Sequence, residues 1–337
     1  MITGPKWCGK TTTAEQFCKS SIYLQDPDHS EQYHEIALNR ISALLEGENP
    51  RLIDEWQMEE NLWNAVRFSV DHTPAKGLYI LTESTIYRPS ESRHSGAGRI
   101  AKIVMRTLSL YESGDSTGEV SLAELFEGKE SKGTSKHSVH DVAKLIVRGG
   151  WPDQVFLGTD ESIIGDYCEA ILDSKIDLDG IKRDRYKMKA ILVSLSKNVA
   201  TASSTSVIRD DVMERFENIG KGGFSDKTLY SYIEALKDIC MIEDMPAWNP
   251  KLRSKARIRQ KEVRYLSDPA IAAYFLGAGP KDLEFDPETF GLLFECLVVR
   301  DLRVYAQTID GKVYSYRDNT GLEVDCIIHL RNGKWRP

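Results

Sequence analysis

Residues 4–11, Gly-Pro-Lys-Trp-Cys-Gly-Lys-Thr, spell GxxxxGKT at the very start of a 337-residue chain. The pattern demands a strand, an anion-wrapping loop and a helix, in that order. Gly4 and Gly9 let the backbone close around an anion, so that successive amide N–H groups point inward. Lys10 places a point charge between the β- and γ-phosphates of a nucleoside triphosphate such as ATP, and the Thr11 hydroxyl suits Mg²⁺. Pro5, Lys6, Trp7, Cys8 and Thr12 complete the cradle. Met1-Ile2-Thr3 reads as the strand, and Lys10 to Lys19 as a helix whose positive end faces the phosphates. Cys8, close to that helix start, is a candidate for a lowered thiol pKa, or simply a small residue that fits.

A phosphate loop needs an acidic partner at the same edge of the sheet, and Leu52-Ile53-Asp54-Glu55 supplies one, 43 residues after Thr11. An apolar strand ending in Asp-Glu puts Asp54 where it would hold Mg²⁺ and Glu55 where it would deprotonate the attacking water. The strand Leu78 to Thr82 ends Thr82-Glu83-Ser84-Thr85. Thr82 is the leading candidate to sense the γ-phosphate or the water, and Ser84 the second. In Arg93-His94-Ser95-Gly96-Ala97-Gly98-Arg99, Arg99 is a candidate to stabilise charge developing in phosphoryl transfer. It would act in its own chain or across the interface of a homo-oligomer; a plain surface arginine is the alternative.

The strings Met1–Thr3, Arg51–Ile53, Leu78–Thr82 and Ala101–Met105 alternate with helical patterns at Ser30 to Leu45 and Asn61 to Val70, the signature of a parallel α/β sheet. Gly128 to Ser135 reads as a linker, and a short helix after it stops at Gly149-Gly150-Trp151-Pro152. From about 160 to 245 apolar residues recur at helical spacing, in Ile163 to Ile176, Met188 to Ala200 and Thr228 to Ile239, the last with Ser225 as N-cap. A helix over Phe290 to Tyr305 and strands at Val313 to Tyr316 and Val324 to Ile328 close the chain.

Between these regions, Lys251, Arg253, Lys255, Arg257, Arg259 and Lys261 occupy every odd position of an eleven-residue stretch. At strand periodicity all six cations stand on one face, an arrangement that repels itself unless a polyanion neutralises it. A basic wing behind a recognition helix at Thr228 to Ile239 would contact DNA phosphates without reading sequence; pairing with acidic surface is the rival reading. The net charge of −7 confines any such contact to a local patch. With 41% apolar and 28% charged residues the chain is globular, and no apolar run approaches the roughly 20 residues that span a bilayer. Six scattered cysteines without a CxxC pair argue against zinc and suit a reducing, cytoplasmic setting. The seven histidines form no metal pattern.

Together GPKWCGKTT, RLIDEWQ, LTEST, GAGRI, GGWP, FGLLFE and GLEVD resemble a family of archaeal and bacterial AAA-type ATPases with a C-terminal domain of unknown function, over essentially the whole chain. The resemblance implies an α/β P-loop NTPase sheet, then a mainly helical winged-helix-like region, then a truncated α/β nuclease-like segment. The expected divisions are 1–127 for the AAA-type core, 136–158 for a small helical lid, 160–280 for the winged-helix-like domain and 281–337 for a restriction-endonuclease-like segment. In such segments a helix Glu, a strand Asp and a following Glu-x-Lys hold Mg²⁺ and assist a water. Glu295 and Asp325 match the first two positions, but the sequence stops at Asn332-Gly333-Lys334-Trp335-Arg336-Pro337, so nuclease chemistry is not expected. Relatives extend before the loop and after the last strand, and the polypeptide is expected to be a piece of a longer one. The function implied is Mg²⁺-dependent ATP binding and hydrolysis coupled to DNA or protein binding; the alternative is a nucleotide-gated DNA-binding module with little turnover.

Overall fold

Leu52, Ile53 and Leu81 are almost completely buried because their strands lie inside a parallel sheet, covered on both faces. In the computed structural model, residues 1–86, 98–158, 163–173, 183–217, 225–249, 261–318 and 320–337 are described. They form two compact units, Met1–Arg106 with Asp238–Cys240, and Thr107–Lys237 with Met241–Pro337.

The first unit carries five strands: β1 (Ile2–Thr3), β2 (Ser20–Tyr23), β3 (Arg51–Asp54), β4 (Tyr79–Glu83) and β5 (Ile103–Val104). Their order is β2-β3-β4-β1-β5 and every pairing is parallel. Strand β4 therefore stands between the strand that feeds the glycine loop and the strand that carries Asp54. The pairs Ile2↔Thr82 and Ile53↔Leu81 bring all three C-terminal ends to one edge, where parallel sheets present ligand sites. Helices α1 (Lys10–Glu15), α2 (Ser30–Arg40) and α3 (Leu62–His72) accompany two 3₁₀ turns, Ile41–Leu45 and Trp56–Met58. Leu44, Trp56, Leu62, Trp63 and Val66 pack with Ile53 and Leu81 into one core.

Three features differ from the sequence expectation. Strand β2 carries one buried aliphatic side chain, Ile22, too little for a periodic signal. Helix α1 ends at Glu15 rather than Lys19, because the Lys19 amide bonds Pro50 O at 2.8 Å as the chain enters β2. The helix expected to run to Leu45 tightens into the 3₁₀ turn from Ile41.

The second unit is mainly helical. It contains α4 (Leu122–Phe126), α5 (Val139–Arg148), α6 (Pro152–Leu157), α7 (Ile163–Asp173), α8 (Arg185–Lys197), α9 (Thr205–Glu217) and α10 (Asp226–Asp238), then α11 (Pro269–Leu276), α12 (Pro280–Phe285) and α13 (Pro287–Thr308). Antiparallel bridges Thr201↔Arg264, Ile242↔Leu266 and Met245↔Val263 form a minimal ladder around α8 to α10. Helix α9, missed in the sequence, buries Ile208, Val212 and Phe216 at four-residue spacing. Strands β6 (Gly311–Arg317), β7 (Glu323–Leu330) and β8 (Trp335–Arg336) form an antiparallel sheet.

A charged cluster is buried in this unit. Arg300 on α13 bonds Asp268 at 2.8 Å and Asp301 at 2.8 Å, with 2% of the Arg300 side chain and none of Asp268 exposed. Asp268 also accepts from Thr107 Oγ1 at 2.6 Å and from Gly150 N at 3.0 Å, and Asp301 from Leu110 N at 2.9 Å. Among the described residues no helix is long and apolar enough to cross a membrane.

Candidate nucleotide site

The loop after β1 has the backbone its pattern demands. A Cβ on Gly4 would sit 2.1 Å from Met105 O, so only glycine lets the chain pass β5 there. Gly9 has φ +92° and Trp7 φ +64°, two left-handed residues that curl the loop before α1 begins. Lys10 is buried, and its ammonium donates to the carbonyls of Gly4 at 3.0 Å and Pro5 at 2.8 Å. Lys6, Trp7 and Thr12 are exposed, whereas Gly4, Pro5 and Cys8 are buried. Cys8 is fully enclosed, and burial, only partly opposed by Lys10, pushes its thiol pKa up. The lowered thiol pKa considered for Cys8 is thereby corrected.

Asp54 ends β3 beside this loop. Its Oδ1 accepts from Thr11 Oγ1 at 2.7 Å and from Thr82 Oγ1 at 2.6 Å. Thr82 also accepts the Glu55 amide at 3.2 Å, so its single hydroxyl proton is committed to Asp54. In this arrangement Thr82 has no proton left for a phosphate; it ties Asp54 to Glu55 instead. Glu55 sits at φ +53°, where the chain turns sharply out of the strand. Ser84 Oγ and Gln57 Nε2 donate to its two carboxylate oxygens, and Ser84 N approaches Oε2 at 3.3 Å. A carboxylate has about four acceptor positions, so about one remains for a water. Gln57 is the residue here that sequence reasoning missed; it stands two positions beyond Glu55, within reach only because the chain bends back.

Among the described residues neither Lys10 nor Asp54 forms a salt bridge. A buried cation resting on carbonyls and a carboxylate resting on hydroxyls meet at one sheet edge, each short of a counter-charge. Hydroxyl and carboxylate oxygens are the donors a hard divalent cation takes, so Thr11 and Asp54 fit Mg²⁺.

Residues 1–114 match the AAA domain family. The first unit is an AAA-type P-loop domain. Residues 139–282 and 290–337 match two domains of unknown function, DUF8612 and DUF4143. No curated protein matches the chain. Among solved structures it is similar to a Walker-type ATPase of Pyrococcus abyssi, at 14% identity and TM-score 0.44, over 82% of this chain and 90% of that one. The Aeropyrum pernix ORC1 protein in complex with DNA gives 13% identity and TM-score 0.27, over 86% and 87%. The assignment of the AAA-type domain rests on the family match and the geometry above.

Within the AAA-type domain, Arg99 pairs with Asp71 of α3 through its Nε, which lowers the Asp71 pKa and raises that of Arg99. Of the basic stretch, Lys251, Arg253, Lys255, Arg257 and Arg259 lie outside the described residues; Lys261 is exposed. Glu295 on α13 accepts the Tyr265 hydroxyl, and its carboxyl pKa is raised by burial, opposed by that bond and assisted by the charges of Asp325 and Glu323. Asp325 lies on β7 and Lys334 in the turn before β8. Among the described residues no group of three acidic, histidine or cysteine side chains has metal-holding geometry.

Proposed function

We propose that the AAA-type domain binds Mg²⁺-ATP and hydrolyses it. The observation that carries this reading is the pair of opposite, uncompensated charges, Lys10 and Asp54, at the edge where β1, β3 and β4 end. Residues Gly4 to Thr12 would wrap the triphosphate with backbone amides, and Lys10 would exchange its carbonyl partners for phosphate oxygens. Thr11 and Asp54 would hold the metal, whose charge neutralises what builds up on the phosphate oxygens in transfer. Glu55 would take the proton of the attacking water, held in place by Ser84 and Gln57. Thr82 would keep Asp54 and Glu55 in fixed relation, and an arginine such as Arg99 could complete the charge stabilisation once released from Asp71. Glu55→Gln should lower phosphate release by about 10²–10⁴-fold while ATP binding persists. Hydrolysis by that variant at the wild-type rate would remove Glu55 from its role.

A second reading, DNA binding by the helical region, has its own support. The bridge residue Thr201 falls between α8 and α9, Ile242 falls after α10, and Met245 pairs with Val263 further on. That order is consistent with a winged helix whose wing carries Lys251 to Lys261, with α10 as its recognition helix. Affinity for duplex DNA should fall steeply with salt, and Arg253, Arg257 and Arg259 changed together to Glu should flatten the log–log salt slope by about 3. An unchanged slope would take the stretch out of consideration.

A further inference from the structure

Strand alternation sends Thr82 and Ser84 toward Asp54 and Glu55 and sends Leu81 and Glu83 to the opposite face. That opposite face is the core: Leu81 packs there with Trp56 and Trp63. A carboxyl group at such a position is costly unless something specific holds it. Glu83 is 1% exposed, and its Oε2 accepts the indole N–H of Trp56 at 3.1 Å. Trp56 is itself fully buried and immediately follows Glu55 in the chain. Glu55 is the left-handed residue at which the chain leaves β3 and winds into the Trp56–Met58 turn. The indole is therefore anchored at both ends, by its rings against Trp63 at 5.2 Å between centroids and by its nitrogen on Glu83.

We propose that Glu83 is a positioning residue for ATP hydrolysis: through Trp56 it fixes the bend that aims Glu55. The proposal rests on the reading of Glu55 as the base. Glu83 touches neither nucleotide nor metal in this account; it acts one residue away from the chemistry, from the far face of the sheet. A bend at φ +53° in a residue with a side chain is strained, and such conformations persist only where neighbours over-determine them. Ser84 and Gln57 hold the carboxylate end of Glu55, and the Glu83–Trp56 bond holds its backbone. The groups facing Glu83 are the Thr3 hydroxyl and the terminal amine of Met1 from β1, Lys102, and the Trp56 indole. Burial outweighs all of them and raises the Glu83 carboxyl pKa to about 7.

Steady-state hydrolysis by Glu83→Gln, Glu83→Met, Trp56→Phe and the Glu83→Met/Trp56→Phe pair tests this, with ATP affinity and melting temperature measured on each. Gln keeps an acceptor for the indole, and its rate should stay within about twofold of wild type. Met and Phe each remove one end of the bond, Met filling the space and Phe leaving part of the indole's volume empty, and each should cost on the order of 10-fold in kcat with KM held. The pair should cost no more than either alone, since one bond cannot be lost twice. Multiplicative losses in the pair, or a Gln variant as slow as the Met variant, would overturn the proposal, as would losses that appear in KM. Should Glu83→Met fail to fold, Gln and Trp56→Phe still decide it: Gln must keep the wild-type rate, and Phe must lose kcat with KM held. Persistent hydrolysis in Glu55→Gln is a separate result: it removes the base, not the anchor.

Discussion

Two clusters of charge are sheltered in this protein, and they are held in different ways. In the second unit Arg300 sits between Asp268 and Asp301, and the remaining carboxylate positions accept from Thr107, Gly150 and Leu110. There one guanidinium lies between two carboxylates, and the second negative charge is met by hydroxyl and backbone N–H donors. At the sheet edge of the AAA-type domain, the Asp54 carboxylate has only hydroxyls and the Lys10 ammonium only carbonyls for partners among the described residues. Desolvating a charge is expensive, and a sheltered charge without a counter-charge gains from a ligand of opposite sign. The first cluster is tied together by ion pairs; the second has none among the described residues, and that makes it the candidate site. Burial alone does not separate them, since Lys10 is 5% exposed and Arg300 2%.

That contrast is broken most forcefully at Glu55 and Asp268. Glu55→Gln should remove about 3–5 kcal/mol of transition-state stabilisation and leave the melting temperature nearly unchanged, because a neutral amide can still accept from Ser84. Asp268→Ala should do the reverse within its own unit. Leaving Arg300 buried beside one carboxylate instead of two, it should destabilise by about 3–5 kcal/mol in denaturant melts. If Asp268→Ala melts like wild type, the cluster is not the architecture described here.

The buried acid Glu83 offers a smaller test, in pH. Its folded pKa, about 7, lies above the ordinary 4.5. A carboxyl raised in this way favours the fold fully below pH 4.5, and that contribution is lost as pH rises through 7. Glu83→Gln cannot ionise, so its stability relative to wild type should grow between mildly acidic and mildly alkaline pH. The gain should reach up to about 3 kcal/mol, since a tenfold change in proton affinity corresponds to about 1.4 kcal/mol. A gap that stays constant over that range would mean Glu83 is ionised in the folded protein at neutral pH.

The loop and Asp54 were legible in the sequence because fixed spacing encodes them: glycines for backbone shape, a strand end for the carboxylate. The parallel sheet was legible for the same reason, through Leu52-Ile53 and Ile80-Leu81. What was not legible depends on the third dimension. Nothing in Thr82-Glu83-Ser84 says that β4 lies between β1 and β3, and only that order commits the Thr82 hydroxyl to Asp54. Gln57 reaches Glu55 only through the left-handed bend, and Glu83 points into the core only because Thr82 and Ser84 point out of it. Helix α9 had a readable stripe in Ile208, Val212 and Phe216, and polar neighbours at Arg209, Asp210 and Asp211 obscured it.

The smallest expected effect is the sharpest test of the contrast. Asp54→Asn removes a carboxylate that has no cationic partner among the described residues, and Asn can still accept from Thr11 and Thr82. Without nucleotide the variant should melt within about 1 kcal/mol of wild type, on either side, as expected when the lost charge had no salt bridge to break. Wild type should gain about 2.7 kcal/mol from Mg²⁺-ATP at a hundred times its Kd. Asp54→Asn should gain much less at the same concentrations, and the deficit should shrink when Mg²⁺ is left out of both samples. A variant that loses several kcal/mol without ligand would show that Asp54 is balanced from within, and the distinction between site and architecture would then have to be drawn elsewhere.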